Sequence, residues 1–299
     1  MQKKGVFHPR NRHQGHYDFE RLMAISPGLR RFAAPNRRGE LSVDFTHPDG
    51  VQALNRAILE EQYGLKGWEI PDGALCPAVP GRADYIHHLA DLLGSTVRSE
   101  TIRVLDIGTG ASCIFPIIGF YEYGWSFTGV DVNPASLHSA EAILTKNPDL
   151  AASVRLRRQV DPLRVFVGIL EQEGVFDASV CNPPFHSSSE EAAEVNRKKW
   201  IKMGRPELAG NLHEKQRVNF GGQGAELWCE GGEVAFLNRM IQESSRFRDR
   251  CRWFTTLVSK ENALPVLERA LTRVGVADRR VLPMSQGQKK SKVLAWTFQ

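Results

Sequence analysis

"IRVLDIGTGASCIFP", residues 102–116, decides the fold. An apolar, β-rich run ends at Ile107 and passes through Gly108 and Gly110 straight into a second apolar run, the order expected of a strand, a glycine turn and a helix. Ligands of open α/β sheets bind beyond the carboxyl ends of the strands, where glycine lets the backbone come close to them. Asp106, Gly108 and Gly110 form D-x-G-x-G, and Ser112 and Cys113 stand where a dinucleotide fingerprint would carry its third glycine. That departure weakens a nicotinamide reading.

Downstream the same alternation repeats. Strands are expected at 102–108, 126–131, 153–159, 176–182, 251–259, 279–285 and 292–299, with helices near 113–122, 134–146, 162–173, 230–246 and 261–273. The last two strands are joined only by "QGQKKS" (286–291) and read as a hairpin. The expectation is an α/β, Rossmann-like sheet of seven strands, the arrangement of a class I methyltransferase. Upstream, the chain is basic and broken by Pro and Gly, with helical periodicity at 48–64 and 81–94. The expected division is a mostly helical region, 1–98, and a methyltransferase domain, 99–299.

Two further stretches fall at strand ends. "FTGVDVN" (127–133) supplies Asp131, a carboxylate able to accept both hydroxyls of a ribose. S-adenosylmethionine carries a ribose and no pyrophosphate, so it needs no third glycine, and its sulfonium and amino groups favour nearby carboxylates. The plain alternative is a tight turn with a helix-capping Asp. "FDASVCNPPFH" (176–186) then stops the fourth strand with two prolines. The Asn182 side-chain carbonyl and the Pro183 peptide carbonyl, held still by Pro184, can accept the two protons of an exocyclic amine, and Phe185 can stack on a flat base. Such an amine is a poor nucleophile, so alignment rather than a metal or a strong base is what the site must supply. Here the alternative is a strand terminator with Phe185 in the core.

The net charge of +5 suits an anionic partner. It is concentrated at the start, where residues 1–38 hold nine Lys/Arg against Asp18 and Glu20. "FHPRNRHQGHYDFERL" (7–22) interleaves Arg10, Arg12 and His13 with aromatics, a mixture suited to phosphates and unpaired bases; a solvated basic tail is the other reading. Five scattered cysteines lack zinc spacing, so no metal is expected. With no signal-peptide core and no apolar span, the expectation is a cytoplasmic protein without a membrane partner, and no obligate protein partner is evident. His87 and His88 are expected to pack or cap. "RFRDRCR" (246–252) and "QGQKKSK" (286–292) are expected to be solvated surface.

Taken together, "HPRNRH", "VPGRADYIHHLADLL", "LDIGTGASCIFPIIG", "CNPPFH", "NFGGQGAELWCEGGE" and "AWTF" resemble the RlmF family of bacterial 23S rRNA adenine-N6 methyltransferases along essentially the whole chain. The resemblance implies transfer of one methyl from S-adenosylmethionine, leaving S-adenosylhomocysteine, to the N6 amine of an adenine in 23S rRNA, free or in an assembling large subunit. It implies catalytic roles for Asn182, Pro183, Pro184 and Phe185. Cofactor contacts are implied for Asp106, Gly108, Gly110, Asp131 and Asn182, and, through a domain shared with a eukaryotic RNA adenine methyltransferase family, for Arg82 and Ser112. It also implies that Arg10, Arg12 and His13 belong to an RNA-binding element over the cofactor cleft. The insert at 187–218 could be a substrate loop; Trp228 and Glu230 could shape the target pocket. Three other readings stay open: methylation of a glutamine amide, methylation of guanine N2, and a non-catalytic RNA-binding or ribosome-assembly module.

Overall fold

The computed structural model describes residues 7–36, 38–94, 101–188, 190–191, 194–195, 197–198, 228–286 and 289–299. The first of the long strands, β3 (Arg103–Ile107), sits in the middle of a seven-stranded sheet. β4 (Ser126–Asp131) and β5 (Val154–Arg158) extend it on one side, and β6 (Phe176–Cys181) and β7 (Cys251–Val258) on the other, all parallel. β9 (Lys289–Thr297) then pairs antiparallel with β7, and β8 (Asp278–Gln286) pairs antiparallel with β9 as the outer strand. The strand order β5-β4-β3-β6-β7-β9-β8 is the class I methyltransferase arrangement, with the expected hairpin. Val104, Leu105 and Ile107 are all buried because a parallel sheet is covered on both faces.

Chain direction across the sheet reverses at β3, and a crevice opens where it does. Register makes the crevice floor level: Ile107 lies beside Val130 of β4 and Cys181 of β6. Gly108, Asp131 and Asn182 are therefore the next residues on three adjacent strands.

The N-terminal region contains α1 (Phe19–Ile25), a short β1–β2 hairpin (Ala33–Pro35 with Leu41–Val43), α2 (Pro48–Tyr63) and α3 (Val79–Leu93). The sequence reading had missed α1, this hairpin and the short α6 (Pro148–Ser153). One hydrophobic cluster joins Leu54, Trp68 and Tyr85 to Ile117, Trp253 and Met284, so residues on both sides of position 98 share a core. Polar contacts cross the same line. The Tyr85 hydroxyl meets Thr255 Oγ1 at 2.7 Å, and Thr255 donates to the Ser179 carbonyl at 2.6 Å. The Asn147 amide accepts from the Lys66 N–H at 2.9 Å and donates to the Lys66 carbonyl at 3.0 Å, as a strand neighbour would.

The helices after β3, β4 and β7 form as expected: α4 (Ile114–Tyr123), α5 (Pro134–Thr145) and α8 (Leu264–Val274), with α7 (Gly232–Ser244) before β7. The helix expected at 162–173 does not; this stretch is a series of turns. Buried Glu243 of α7 accepts the N–H groups of Val165, Phe166 and Val167 on one carboxylate oxygen, at 3.1, 2.8 and 3.0 Å. A helix could start on such an acceptor, but Gly168 takes φ 86 and ends it within a turn.

Glu243→Ala strands three buried N–H groups. It is expected to cost roughly 3 kcal/mol in urea unfolding and to speed amide exchange at 165–167; unchanged exchange there would contradict this account of the turn.

Candidate active site

A cavity of about 390 Å³ opens at the level strand ends. Its walls include Gly108, Gly110 and Ser112 after β3, Asp131 after β4, Asn182 and Pro184 after β6, and Arg82 from α3. Five of the residues expected to bind cofactor from the sheet and its glycine loop thus converge, and Arg82 joins them from the N-terminal region.

Gly108 and Gly110 have φ of 76 and 65, the left-handed conformation that glycine adopts without strain. The N–H groups of Gly108 and Thr109 both donate to the Val130 carbonyl, at 2.9 and 3.0 Å, which folds the turn back onto β4. A Cβ on Gly108 would meet no protein atom within 4 Å, so the space beside it is open for a ligand.

Asp131 is buried, and burial raises its carboxyl above the usual range against the opposing pull of backbone N–H groups. Its oxygens accept the Gly110 N–H and the Asn133 N–H, each at 2.9 Å. A carboxylate has lone pairs for about four hydrogen bonds, which leaves capacity for a diol. Asp106 is fully buried and does not line the cavity. Neither of its oxygens has a hydrogen-bond partner among the described residues. Burial lifts its pKa to about 7, with the Asp131 charge adding to the rise; Thr109 and Arg82 oppose it. A carboxylate without a donor in a buried site gains from any nearby cation. Arg82, whose guanidinium carbon is 5.7 Å from the centre of the Phe115 ring, is lowered by burial to about 10 and stays protonated at neutral pH.

Asn182 carries the most informative unspent group. Its side-chain oxygen is shielded from solvent and has no hydrogen-bond partner among the described residues, although the residue lines the cavity. Pro183 and Pro184 are buried; Phe185 is half-buried and, like Pro183, is not part of the cavity wall. Trp228, Cys229 and Glu230 also line the cavity, held because Trp228 pairs with His186 and the Cys229 N–H donates to the His186 carbonyl at 3.1 Å. The glycine-rich stretch containing Trp228 hinted at this pocket, but only the pairing with His186 brings it there. Gln159 and the segment 162–165 also line the cavity, and Leu163 is 58% exposed at this wall. Sequence reasoning overlooked 162–165 because it put that segment in a helix, and Gln159 because it read as the last residue of a strand.

The basic arm differs from its expected role. His13 is buried, receives or donates hydrogen bonds at 3.0 Å with both Tyr63 and Tyr17, and is lowered to about 4 by burial and then by Arg12, so it is neutral. Arg10 is paired with Asp91 and reaches the His87 carbonyl at 3.2 Å; Arg12 is paired with Glu122 at 2.9 Å. The arm is a strap packed on α2 and α3, and Arg10, Arg12 and His13 lie outside the cavity wall. His13 is thereby corrected from a candidate RNA contact to an interior residue. Most of the 187–218 insert lies outside the described residues. Among the described residues, no group of three or more His, Cys, Asp or Glu could hold a metal, and no helix is long and apolar enough to cross a membrane.

A protein-family profile described as RNA methyltransferase matches residues 1–299. A protein from Pseudomonas aeruginosa named ribosomal RNA large subunit methyltransferase F is 51% identical over 296 residues, covering 97% of this chain and 87% of that protein. One of the same name from Serratia proteamaculans is 49% identical over 302 residues, covering 99% and 89%. Among solved structures, the human Mettl16 catalytic domain in complex with the MAT2A 3'UTR hairpin 1 matches with a TM-score of 0.82 at 31% identity, covering 98% of this chain and 96% of that one. The N-terminal domain of human METTL16 in complex with SAH matches with a TM-score of 0.78 at 30% identity, covering 98% and 99%.

The unfolded Asp106 carboxyl ionises near 3.8 and the folded one near 7, so between these values the folded chain holds the extra proton. Stability relative to Asp106→Asn is expected to fall as pH rises through that interval and to level off above it. Urea unfolding of both proteins across the interval checks this; a constant difference would contradict it.

Proposed function

The chain belongs to the RNA methyltransferase family, and on that premise we propose that it transfers a methyl group from S-adenosylmethionine to the N6 amine of one adenine in 23S ribosomal RNA. RNA is the substrate class and S-adenosylmethionine the methyl donor. That the methyl acceptor is an exocyclic or amide N–H group rests on the unpartnered Asn182 oxygen on the wall of the cavity that Gly108, Gly110 and Asp131 also line; the choice of adenine rests on the resemblance to the RlmF family.

When bound, S-adenosylmethionine supplies an electrophilic methyl on a sulfonium and leaves as S-adenosylhomocysteine. Asp131 would accept the ribose hydroxyls with its remaining lone pairs, and Gly108, Gly110 and Ser112 would form the wall along the cofactor. Arg82 and the buried Asp106 would set the charge at that wall. At the other end, Asn182 Oδ1 and the Pro183 carbonyl would accept the two N6 protons and turn the nitrogen toward the methyl. Alignment of this kind can contribute several kcal/mol, up to roughly 7–11 in the best intramolecular cases. The amine then loses one proton to water, and neither a metal nor a strong base is called for. Trp228 on the cavity wall, and Phe185 next to Pro184 though outside that wall, would supply aromatic surfaces for the base, which must leave its stack to enter at a cost of a few kcal/mol. The reaction belongs in the cytoplasm, on 23S rRNA that is free or in an assembling subunit.

The test is transfer of labelled methyl from S-adenosylmethionine to large-subunit rRNA and ribosomal protein from cells lacking the gene, followed by nucleoside analysis. Label in N6-methyladenosine of 23S rRNA is the expected result. Label in protein would favour a glutamine amide, and label in guanosine would favour N2 chemistry; either overturns the adenine reading.

Asn182→Ala and Phe185→Ala are each expected to abolish detectable transfer, and Phe185→Ala to leave S-adenosylhomocysteine affinity within about threefold, since lost alignment falls on the chemical step. Asp131→Ala should do the reverse and weaken cofactor affinity most. Calorimetry with turnover measurements separates these; normal affinity in Asp131→Ala would remove its ribose role.

A further inference from the structure

The backbone that carries Gly110 and Ser112 is held, residue after residue, by side chains from different parts of the fold. The Gly110 N–H donates to Asp131 at 2.9 Å, the Ala111 carbonyl accepts from the Ser139 hydroxyl of α5 at 3.1 Å, and the Ser112 carbonyl accepts from the Trp68 indole N–H at 3.0 Å. The Thr109 hydroxyl contacts the Cys113 sulfur at 3.9 Å.

Restraint is needed here. Cys113 has φ 51 and is the only non-glycine residue with positive φ among the described residues. That conformation costs an L-residue roughly 1–2 kcal/mol, so an unrestrained loop would relax out of it. In a trans peptide the carbonyl and the following N–H point in opposite directions. Fixing the Ala111 and Ser112 carbonyls therefore also fixes where the Ser112 and Cys113 N–H groups point.

Trp68 is fully buried and stands in the connection between α2 and α3, 44 residues from its acceptor. Filling space needs no N–H, yet this indole places its only donor on the loop that lines the cavity. We propose that Trp68 is a positioning residue for cofactor binding: its N–H, together with the Ser139 hydroxyl, holds the 111–113 peptide planes that present Gly110 and Ser112 to S-adenosylmethionine. The inference rests on the cofactor reading above. It makes the N-terminal region part of the cofactor site through Trp68 as well as through Arg82.

The test uses the full chain with Trp68→Phe, Ser139→Ala and the double variant, titrated with S-adenosylhomocysteine and assayed for transfer. Trp68→Phe is expected to weaken S-adenosylhomocysteine binding and raise the KM for S-adenosylmethionine by about tenfold, with kcat and the KM for RNA within about twofold. The double variant should fall short of the product of the single effects, because both act on one loop. Unchanged affinity in a Trp68→Phe protein of lowered thermal stability would reduce Trp68 to packing and overturn the proposal. If Trp68→Phe does not fold, indole 15N NMR of the native chain decides. Slower solvent exchange of the Trp68 indole proton on saturation with S-adenosylhomocysteine supports the clamp, and unaltered exchange overturns it. A native chain that binds no S-adenosylhomocysteine would refute the cofactor reading itself, a separate failure from unequal effects of the variants.

Discussion

A hydrogen bond from the Gly110 N–H to the Asp131 carboxylate ties the turn after β3 to the end of β4. The Val130 carbonyl, one residue earlier, takes the N–H groups of Gly108 and Thr109 on the same side. These contacts force the chain to double back over the neighbouring strand before α4 begins, a path that takes Gly108 and Gly110 through the left-handed conformation glycine adopts without strain. The cavity exists because this turn stands clear of the strand ends while β6 stops at two prolines. Parallel pairing with level register then brings Asn182 beside it. Asn182 and Asp131 thus reach one cavity wall through one sheet geometry.

The N-terminal region is built into that geometry. Its helices share a core with α4, β7 and β8, and Asn147 binds the Lys66 backbone as a strand would. Arg82 reaches the cavity from α3, and Trp68 reaches the glycine loop from the preceding connection. The strap formed by residues 7–17 is held by buried, neutral His13 between two tyrosines and by Asp84 and Asp91 against His8, Arg10 and Asn11. Basic residues in this strap therefore stabilise the helices that carry Arg82. Arg10 and Arg12 keep about half of their side-chain surface open and can still meet a phosphate.

Element types and the strand-end part of the cavity wall could be read from local patterns. Asp106–Gly110, Asp131 and Asn182–Phe185 announce themselves because glycine, proline and strand-end carboxylates act within a few residues of where they stand. The misreadings have the opposite character. Segment 162–173 has helical periodicity, but Gly168 at φ 86 interrupts it, and its first turn is held by Glu243, which is more than 70 residues away. His13 looks like a surface cation until two tyrosines bury it and remove its charge. Trp228 carries no local signal beyond neighbouring glycines, and its place in the cavity wall comes from pairing with His186.

The amino-acid sequence by itself determined the seven-stranded α/β plan, the glycine turn, the Asn-Pro-Pro-Phe stop and the donor and acceptor types they bring, since each follows from the conformational limits of residues adjacent in the chain. Only the tertiary structure decided that Trp68 and Ser139 hydrogen-bond to the loop and that, among the described residues, the Asp106 carboxylate and the Asn182 side-chain oxygen are buried with no partner in hydrogen-bond geometry. Satisfying or stranding a buried polar group depends on which distant side chain arrives within hydrogen-bond reach, and that is set by packing rather than by neighbours in sequence.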